Sequence, residues 1–196
     1  SLNRLLKNLP VIVDDQAWRG DALRAVGNSS RRIDDLIGGL SALRQQPHIK
    51  LAEADLNQIV LSALDEMGGM GEIELTRELE PLPVILADRE QLRSVVTNLV
   101  LNAKDALGPG GWIRLRTAQI EGSAVLSVAD NGCGMSEAFV RDSLFLPFQT
   151  TKKRGLGIGM FQTRMIVEAH GGSIRVESEV GNGSTFYVSL PIREEK

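Results

Sequence analysis

Residues 130–160, DNGCGMSEAFVRDSLFLPFQTTKKRGLGIGM, hold two short glycine clusters with a Phe- and Thr-bearing loop between them. The first cluster, Gly132 and Gly134, follows the apolar strand-like run AVLSVAD. The second, Gly155, Gly157 and Gly159, leads into the helix-like run GMFQTRMIVEAH. Glycine gives up more conformational freedom on folding than any other residue, so its repeated use marks backbone that turns sharply or approaches something closely. The same stretch carries Asp130, Lys152 and the adjacent hydroxyls of Thr150 and Thr151. Those are the polar groups of a binding site rather than of a core.

On the N-terminal side, Asp55 is placed to cap a helix carrying Leu56, Ile59, Val60 and Leu64. EIELTREL, residues 72–79, alternates as a strand, and VILAD, 84–88, is a short buried one. Asp88 starts a long helix through REQLRSVVTNLVLNAKDAL that GPGG ends at 108–111. WIRLRTAQIE and AVLSVAD form a hairpin around Glu121-Gly122-Ser123, and SIRVESEV pairs with STFYVSLPI across Gly181-Asn182-Gly183. Strands and helices out of strict alternation predict an α+β fold, a two-layer α/β sandwich with helices on one face of a mostly antiparallel sheet.

Residues 1–46 differ in kind. Leu23, Val26, Ile33, Ile37 and Leu40 recur at steps of three and four, with Ser30 in the seam, and Asp14 and Asp15 precede them as helix starters. Leu2, Leu5, Leu6, Leu9 and Ile12 read as the end of an earlier helix broken near Pro10. The pair predicts an α-helical hairpin with an uncovered apolar seam, which a homodimer covers by forming a four-helix bundle. Residues 47–54, within RQQPHIKLAEADL, read as a linker, so the second domain is expected over 55–196.

Bulk properties narrow the function classes. With 42% apolar and 24% charged residues the chain has an ordinary globular composition. Its net charge of −3 gives no bulk attraction to nucleic acid or to an anionic membrane, and neither is an expected partner. The one cysteine, Cys133, excludes an intrachain disulfide and a cysteine zinc cluster. No apolar run reaches the roughly 20 residues that span a bilayer. The first residue is Ser1 rather than Met, so a cytoplasmic piece of a longer protein, one open to a membrane anchor elsewhere, is the expectation.

Both common nucleotide motifs fail: GLGIGM breaks the G-x-G-x-x-G spacing at Met160, and no G-x-x-x-x-G-K-[ST] loop occurs. The ordered set is far more specific. NLVLNAKDAL (98–107), DNGCGM (130–135), FLPFQTTK (145–152), GLGIGM (155–160) and GNGSTF (181–186) follow one another. In that order they resemble the asparagine box, first glycine box, phenylalanine box, second glycine box and closing Gly-Ser/Thr element of the histidine kinase ATP-binding domain. That domain belongs to the superfamily shared with DNA gyrase, Hsp90 and MutL. The resemblance covers about residues 55–192 and implies the Bergerat-type sandwich, ATP and Mg²⁺ as cofactors, and a response regulator receiver domain as partner. The form of the first box is closest to the nitrogen-regulatory branch, and the hairpin is similar to the family's dimerisation and phosphoacceptor region, cut short.

The residues support that resemblance chemically. The ionised Asp130 only accepts hydrogen bonds, so it suits the exocyclic amine of adenine and refuses the carbonyl of guanine. Gly132, Gly134 and Met135 would pass close to the base. Asn98 and Asn102 share a helix face, and the resemblance makes Asn102 the metal ligand with Asn98 assisting. Gly155, Leu156, Gly157, Ile158, Gly159 and Met160 open a helix whose amides form an anion site for the triphosphate. Phe145 and Phe148 anchor the intervening loop, while Thr150, Thr151 and Lys152 offer polar groups to the phosphates. Ser184 and Thr185 are the expected closing hydroxyls. At Asp105 many family members carry a basic residue, which leaves Lys104 to substitute in part.

The catalytic set expected is Asn98, Asn102 and Lys152. ATPase relatives place a Glu where this chain has Asn98, so direct hydrolysis should be slow, and the γ-phosphate is expected to go to a histidine and thence to a regulator Asp. No His-Asp or His-Glu pair occurs in residues 1–45. His48 lies in the linker, and His170 before Gly171-Gly172 reads as a helix C-terminal cap. The acceptor is therefore expected upstream of Ser1. An ATP-driven clamp or ATPase, and a non-catalytic nucleotide-binding dimerisation module, remain as alternatives at this stage.

Overall fold

The computed structural model describes residues 48–68, 70–152 and 156–192; the expected hairpin over 1–46 and Gly155 lie outside them. The described chain runs β1 (Ala52–Ala54), α1 (Leu56–Met67), β2 (Glu74–Leu79), β3 (Ile85–Ala87), α2 (Arg89–Ala106), β4 (Trp112–Ile120) and β5 (Ser123–Asp130). It continues with α3 (Glu137–Asp142), α4 (Gly159–Ala169), β6 (Ser173–Glu179) and β7 (Gly183–Pro191). The long strands form one sheet in the order β2-β4-β5-β7-β6. Its pairings are antiparallel except β2 with β4. This is the expected α+β sandwich: the helices cover one face of the sheet, and the other face is open.

Alternation along the strands builds the buried layer. Ile113 and Leu115 on β4, Ala124, Leu126 and Val128 on β5, and Phe186, Val188 and Leu190 on β7 all point to the helices and are buried. The helices answer with Ile59, Val60 and Ala63 on α1, with Val95, Val96, Leu99, Val100 and Ala103 on α2, and with Ile166 and Val167 on α4. The opposite face mixes exposed charge, as on Arg114 and Arg116, with Ser127, Thr185, Tyr187 and the buried Val125.

Helix starts follow local chemistry. The Asp55 carboxylate accepts from the Asn57 amide at 2.8 Å, and that of Asp88 accepts from the Gln91 amide at 3.2 Å. The other Asp88 oxygen accepts from the Lys50 amide at 2.9 Å. Burial pushes this carboxyl up, but the amides of Lys50, Gln91 and Glu90 outweigh it and hold it below its usual range.

One boundary differs from the expectation. Residues 52–54, read as linker, form β1, which pairs antiparallel with β3 as Ala52 with Ala87 and Ala54 with Ile85. Its sequence, AEA, has no intrinsic strand preference. Pairing with a partner some thirty residues away, and the anchor of Lys50 on Asp88, decide its conformation.

His170 closes α4 as a C-cap, as its sequence suggests. Gly171 (φ +71°) follows in the left-handed region. The Gly172 amide donates to Val167 O at 3.0 Å and the Gly171 amide to Glu168 O at 2.9 Å, which is the Schellman arrangement. The imidazole does more than cap. It is buried, its Nδ1 lies 2.7 Å from Ile166 O, and its Nε2 accepts from the Asp88 amide at 3.0 Å. The ring thus ties the end of α4 to the start of α2.

Candidate functional site

Helix α2 is the spine of the site, and four of its residues hold three elements: the start of α4, the Lys152 loop and the first glycine loop. Asn98 Nδ2 donates to Gly159 O at 2.9 Å and to Thr163 Oγ1 at 3.3 Å, docking the first turn of α4. One turn on, Asn102 Nδ2 donates to Met160 Sδ at 3.1 Å, while Asn102 Oδ1 accepts from Lys152 Nζ at 2.7 Å. Lys152 also donates to Asp105 Oδ2 at 2.8 Å. At the last helical position, Ala106 O accepts from the Cys133 amide at 3.0 Å, which seats the first glycine loop on the helix end. The spacings of four and three put the Asn98, Asn102 and Asp105 side chains on one side of α2, and the Ala106 carbonyl lies at its end.

Asp130 closes β5 on the helix-facing side, in step with Ala124, Leu126 and Val128, and is only 4% exposed. Its Oδ1 accepts from the Gly132 amide at 2.8 Å. Burial pushes the carboxyl above the usual carboxylate range, and the Gly132 and Ser184 amides draw it partway back. A buried carboxylate with amide donors but, among the described residues, no cationic partner is arranged to receive another donor.

The first-cluster glycines serve packing as much as ligand approach. A Cβ at Gly132 would lie 2.6 Å from Ala106 O, and one at Gly134 (φ +63°) 1.9 Å from Glu179 O. The loop is therefore pressed between α2 and the β6–β7 hairpin. Met135, half-buried against the core, donates its amide to Ser178 Oγ at 2.9 Å. Ser178 Oγ in turn lies 2.9 Å from Ser184 Oγ and donates to Gly183 O at 3.0 Å. Ser178 was not among the expected site residues; nothing in the run SIRVESEV distinguishes it from a strand-edge serine.

The two expected closing hydroxyls fall on opposite faces of β7. Ser184 pairs with Asp130 and Thr185 with Ala129, so strand alternation puts Ser184 on the Asp130 side, where it is buried, and Thr185 on the opposite face with Tyr187. Thr185 therefore faces away from Asp130.

In the second cluster, Gly157 (φ +67°) abuts the Gln149 backbone, its missing Cβ falling 2.5 Å from Gln149 O. Ile158 is the N-cap of α4 but supplies no side-chain hydrogen bond; its side chain is buried. Among the described residues the first amides of α4 thus have no side-chain partner, the condition under which a helix start takes an anion. Leu156, Gly159 and Met160 are half-buried around that start. Phe148 has φ +64°, unusual for a non-glycine residue, and is 48% exposed. Thr150 Oγ1 accepts from the Lys152 amide at 3.1 Å. Thr151 and Lys104 are exposed. Phe145 packs against the core, with the Arg164 guanidinium 5.6 Å from its ring centre.

Among the described residues, no group of three or more His, Cys, Asp or Glu side chains is placed to hold a metal. The Lys152 ammonium against Asn102 Oδ1 shows that this oxygen faces a position a cation can occupy. A cavity of about 300 Å³ between α1 and the start of α2, lined by Asp55, Gln58, Arg89 and Arg93 among others, shares no residue with this set.

Comparison with known proteins points the same way. Residues 87–194 match the family model described as histidine kinase-, DNA gyrase B-, and HSP90-like ATPase. The chain is 34% identical over 173 residues to the sensor histidine kinase ZraS of Escherichia coli strain K12, covering 86% of this chain and 37% of ZraS. It is 36% identical over 165 residues to the signal transduction histidine-protein kinase AtoS of the same strain, covering 82% and 27%. Among solved structures, full-length ShkA in complex with AMPPNP superposes with a TM-score of 0.78 at 26% identity, over 90% of this chain and 39% of that one. The chain therefore spans well under half of these relatives.

Proposed function

The chain belongs to the histidine kinase-, DNA gyrase B-, and HSP90-like ATPase family, and from that premise we propose that it is the catalytic core of a sensor histidine kinase. It binds ATP with Mg²⁺ and passes the γ-phosphate to a histidine, for relay to an aspartate of a response regulator. Asp130 takes the amine of adenine, with Gly132, Gly134 and Met135 beside the base and Ser184 and Ser178 holding that loop in place. The triphosphate lies towards the α4 amides, with Thr150, Thr151 and Lys152 supplying donors. Asn102 is the residue that would hold Mg²⁺, which when bound neutralises phosphate charge. A homodimer through residues 1–46 is part of the same reading. Among the described residues no helix is long and apolar enough to cross a membrane.

The observation that carries a kinase reading over a hydrolase reading is the state of Asn98. It stands where hydrolytic relatives of the superfamily have a glutamate, and its amide is occupied with Gly159 and Thr163. A neutral amide cannot take a proton from water, so the site lacks its general base. What remains is positioning and charge stabilisation, which suit phosphoryl transfer to a nucleophile supplied by another element. The relatives named as sensor histidine kinases support this reading.

The test is incubation with radiolabelled ATP and Mg²⁺, alone and with a histidine kinase phosphoacceptor domain supplied in trans. Acid-labile, base-stable label on a histidine is expected, with free phosphate from the chain alone released at least about a hundredfold more slowly than by a hydrolytic family member. Rapid phosphate release without an acceptor would favour an ATPase.

A further inference from the structure

Asp105 stands on the phosphate side of α2, one turn beyond Asn102, and a carboxylate there opposes the charge of a triphosphate. The structure gives it a different occupation. One Lys152 ammonium spans Asn102 Oδ1 at 2.7 Å and Asp105 Oδ2 at 2.8 Å. Two groups assigned roles above are thereby engaged with each other and with Asp105: the donor meant for the phosphates and the amide oxygen meant for the metal.

Resting on that reading of the site, we propose that Asp105 is a positioning residue that competes with the nucleotide for Lys152. It holds the ammonium over Asn102 until a triphosphate with its metal draws it away, and this one exchange frees Lys152 for phosphate and Asn102 Oδ1 for Mg²⁺. The strength of the pair suits an exchange. Asp105 is 55% exposed and Lys152 34% exposed in their side chains, so water screens the contact, and a pair of this kind is weak enough to break. An ammonium has three donors, two of them used here, and the several charges of a triphosphate outbid one screened carboxylate. Lys104, next to Asp105 in sequence, is exposed and makes no side-chain contact with either group among the described residues.

The experiment is a double-mutant cycle on the full chain, with binding of magnesium and AMPPNP followed by calorimetry for wild type, Asp105→Asn, Lys152→Met and the double variant. Asp105→Asn alone is expected to bind about three- to tenfold more tightly than wild type. In the Lys152→Met background the same change is expected to alter affinity by less than about twofold. An equal gain in both backgrounds would overturn the proposal, because Asp105 would then act by simple repulsion. Weaker binding by Asp105→Asn would overturn it too, and would make Asp105 a ligand of the metal. Both outcomes leave nucleotide binding itself intact; a wild-type chain that takes up no nucleotide would instead overturn this proposal together with the function it rests on. Thermal unfolding of the four proteins checks that the surface changes leave the fold alone.

Discussion

Replacing Asp130 with asparagine is expected to lower the affinity for magnesium and ATP by about a hundredfold or more while leaving the fold standing. The reason lies in acceptor count. Asp130 Oδ1 already takes the Gly132 amide at 2.8 Å, so a second acceptor must meet the adenine amine. Asparagine has one acceptor and one NH₂ group. Whichever way it is turned, its NH₂ faces either the backbone amide or the base, and a donor opposes a donor. Stability should change little or rise, because burial already disfavours the charge of this carboxyl. Calorimetric titration beside a thermal melt separates loss of binding from loss of fold. Acidity should reproduce part of the effect. The folded-state proton affinity of Asp130 is raised, so it protonates at a higher pH than an ordinary carboxyl near 3.9. Nucleotide affinity is accordingly expected to fall, as pH drops, at a higher pH than an ordinary aspartate would set.

The second large effect concerns stability. Gly183 has φ +87°, and a Cβ there would lie 1.9 Å from Asp130 O and 2.8 Å from its carbonyl carbon. Both neighbours are backbone of the central strand and cannot swing aside. Gly183→Ala should therefore cost about 3–5 kcal/mol, lowering the melting temperature by about 10 °C or more, and it should abolish nucleotide binding by displacing Asp130. Gly181 supplies the control. Its φ is +84°, but a Cβ there meets nothing within 4 Å, so Gly181→Ala should show only left-handed strain, about 1–2 kcal/mol. Denaturant unfolding of both variants tests the contrast; equal losses would mean that backbone conformation, rather than the approach of β7 to Asp130, sets the requirement for glycine.

The elements that could be read from the sequence are those whose causes are local. Asp55 and Asp88 cap helices that begin where expected, Glu121 and Gly122 both take positive φ in the two-residue hairpin turn, and His170-Gly171 ends α4. Period-two alternation found the strands. What escaped depended on distant partners. β1 exists only because β3 pairs with it, and the parallel contact of β2 with β4 has no sequence mark. Ser178 matters through Met135 and Ser184, neither of them a sequence neighbour. The glycine clusters were visible, but not that Gly132, Gly134 and Gly157 are pressed against the backbones of Ala106, Glu179 and Gln149. The separation of Ser184 from Thr185 was legible in the sequence: Phe186, Val188 and Leu190 share a face with Ser184, and alternation alone places Thr185 on the other side.

Lys152 shows the same limit for the site. Its position after Thr150 and Thr151 suggested a phosphate donor, and nothing local revealed its engagement with Asn102 and Asp105. Contacts between a loop and a helix some fifty residues earlier carry no short-range signature, and charge alone does not select among partners.

The reading of the base at Asp130 is tested most directly by calorimetric titration of the full chain with ATP and, separately, GTP at equal magnesium and neutral pH. Uptake of ATP with at least about a hundredfold discrimination against GTP is the predicted result, since a carboxylate accepts from the adenine amine and repels the guanine carbonyl. Equal binding of the two, or binding of neither, would contradict it.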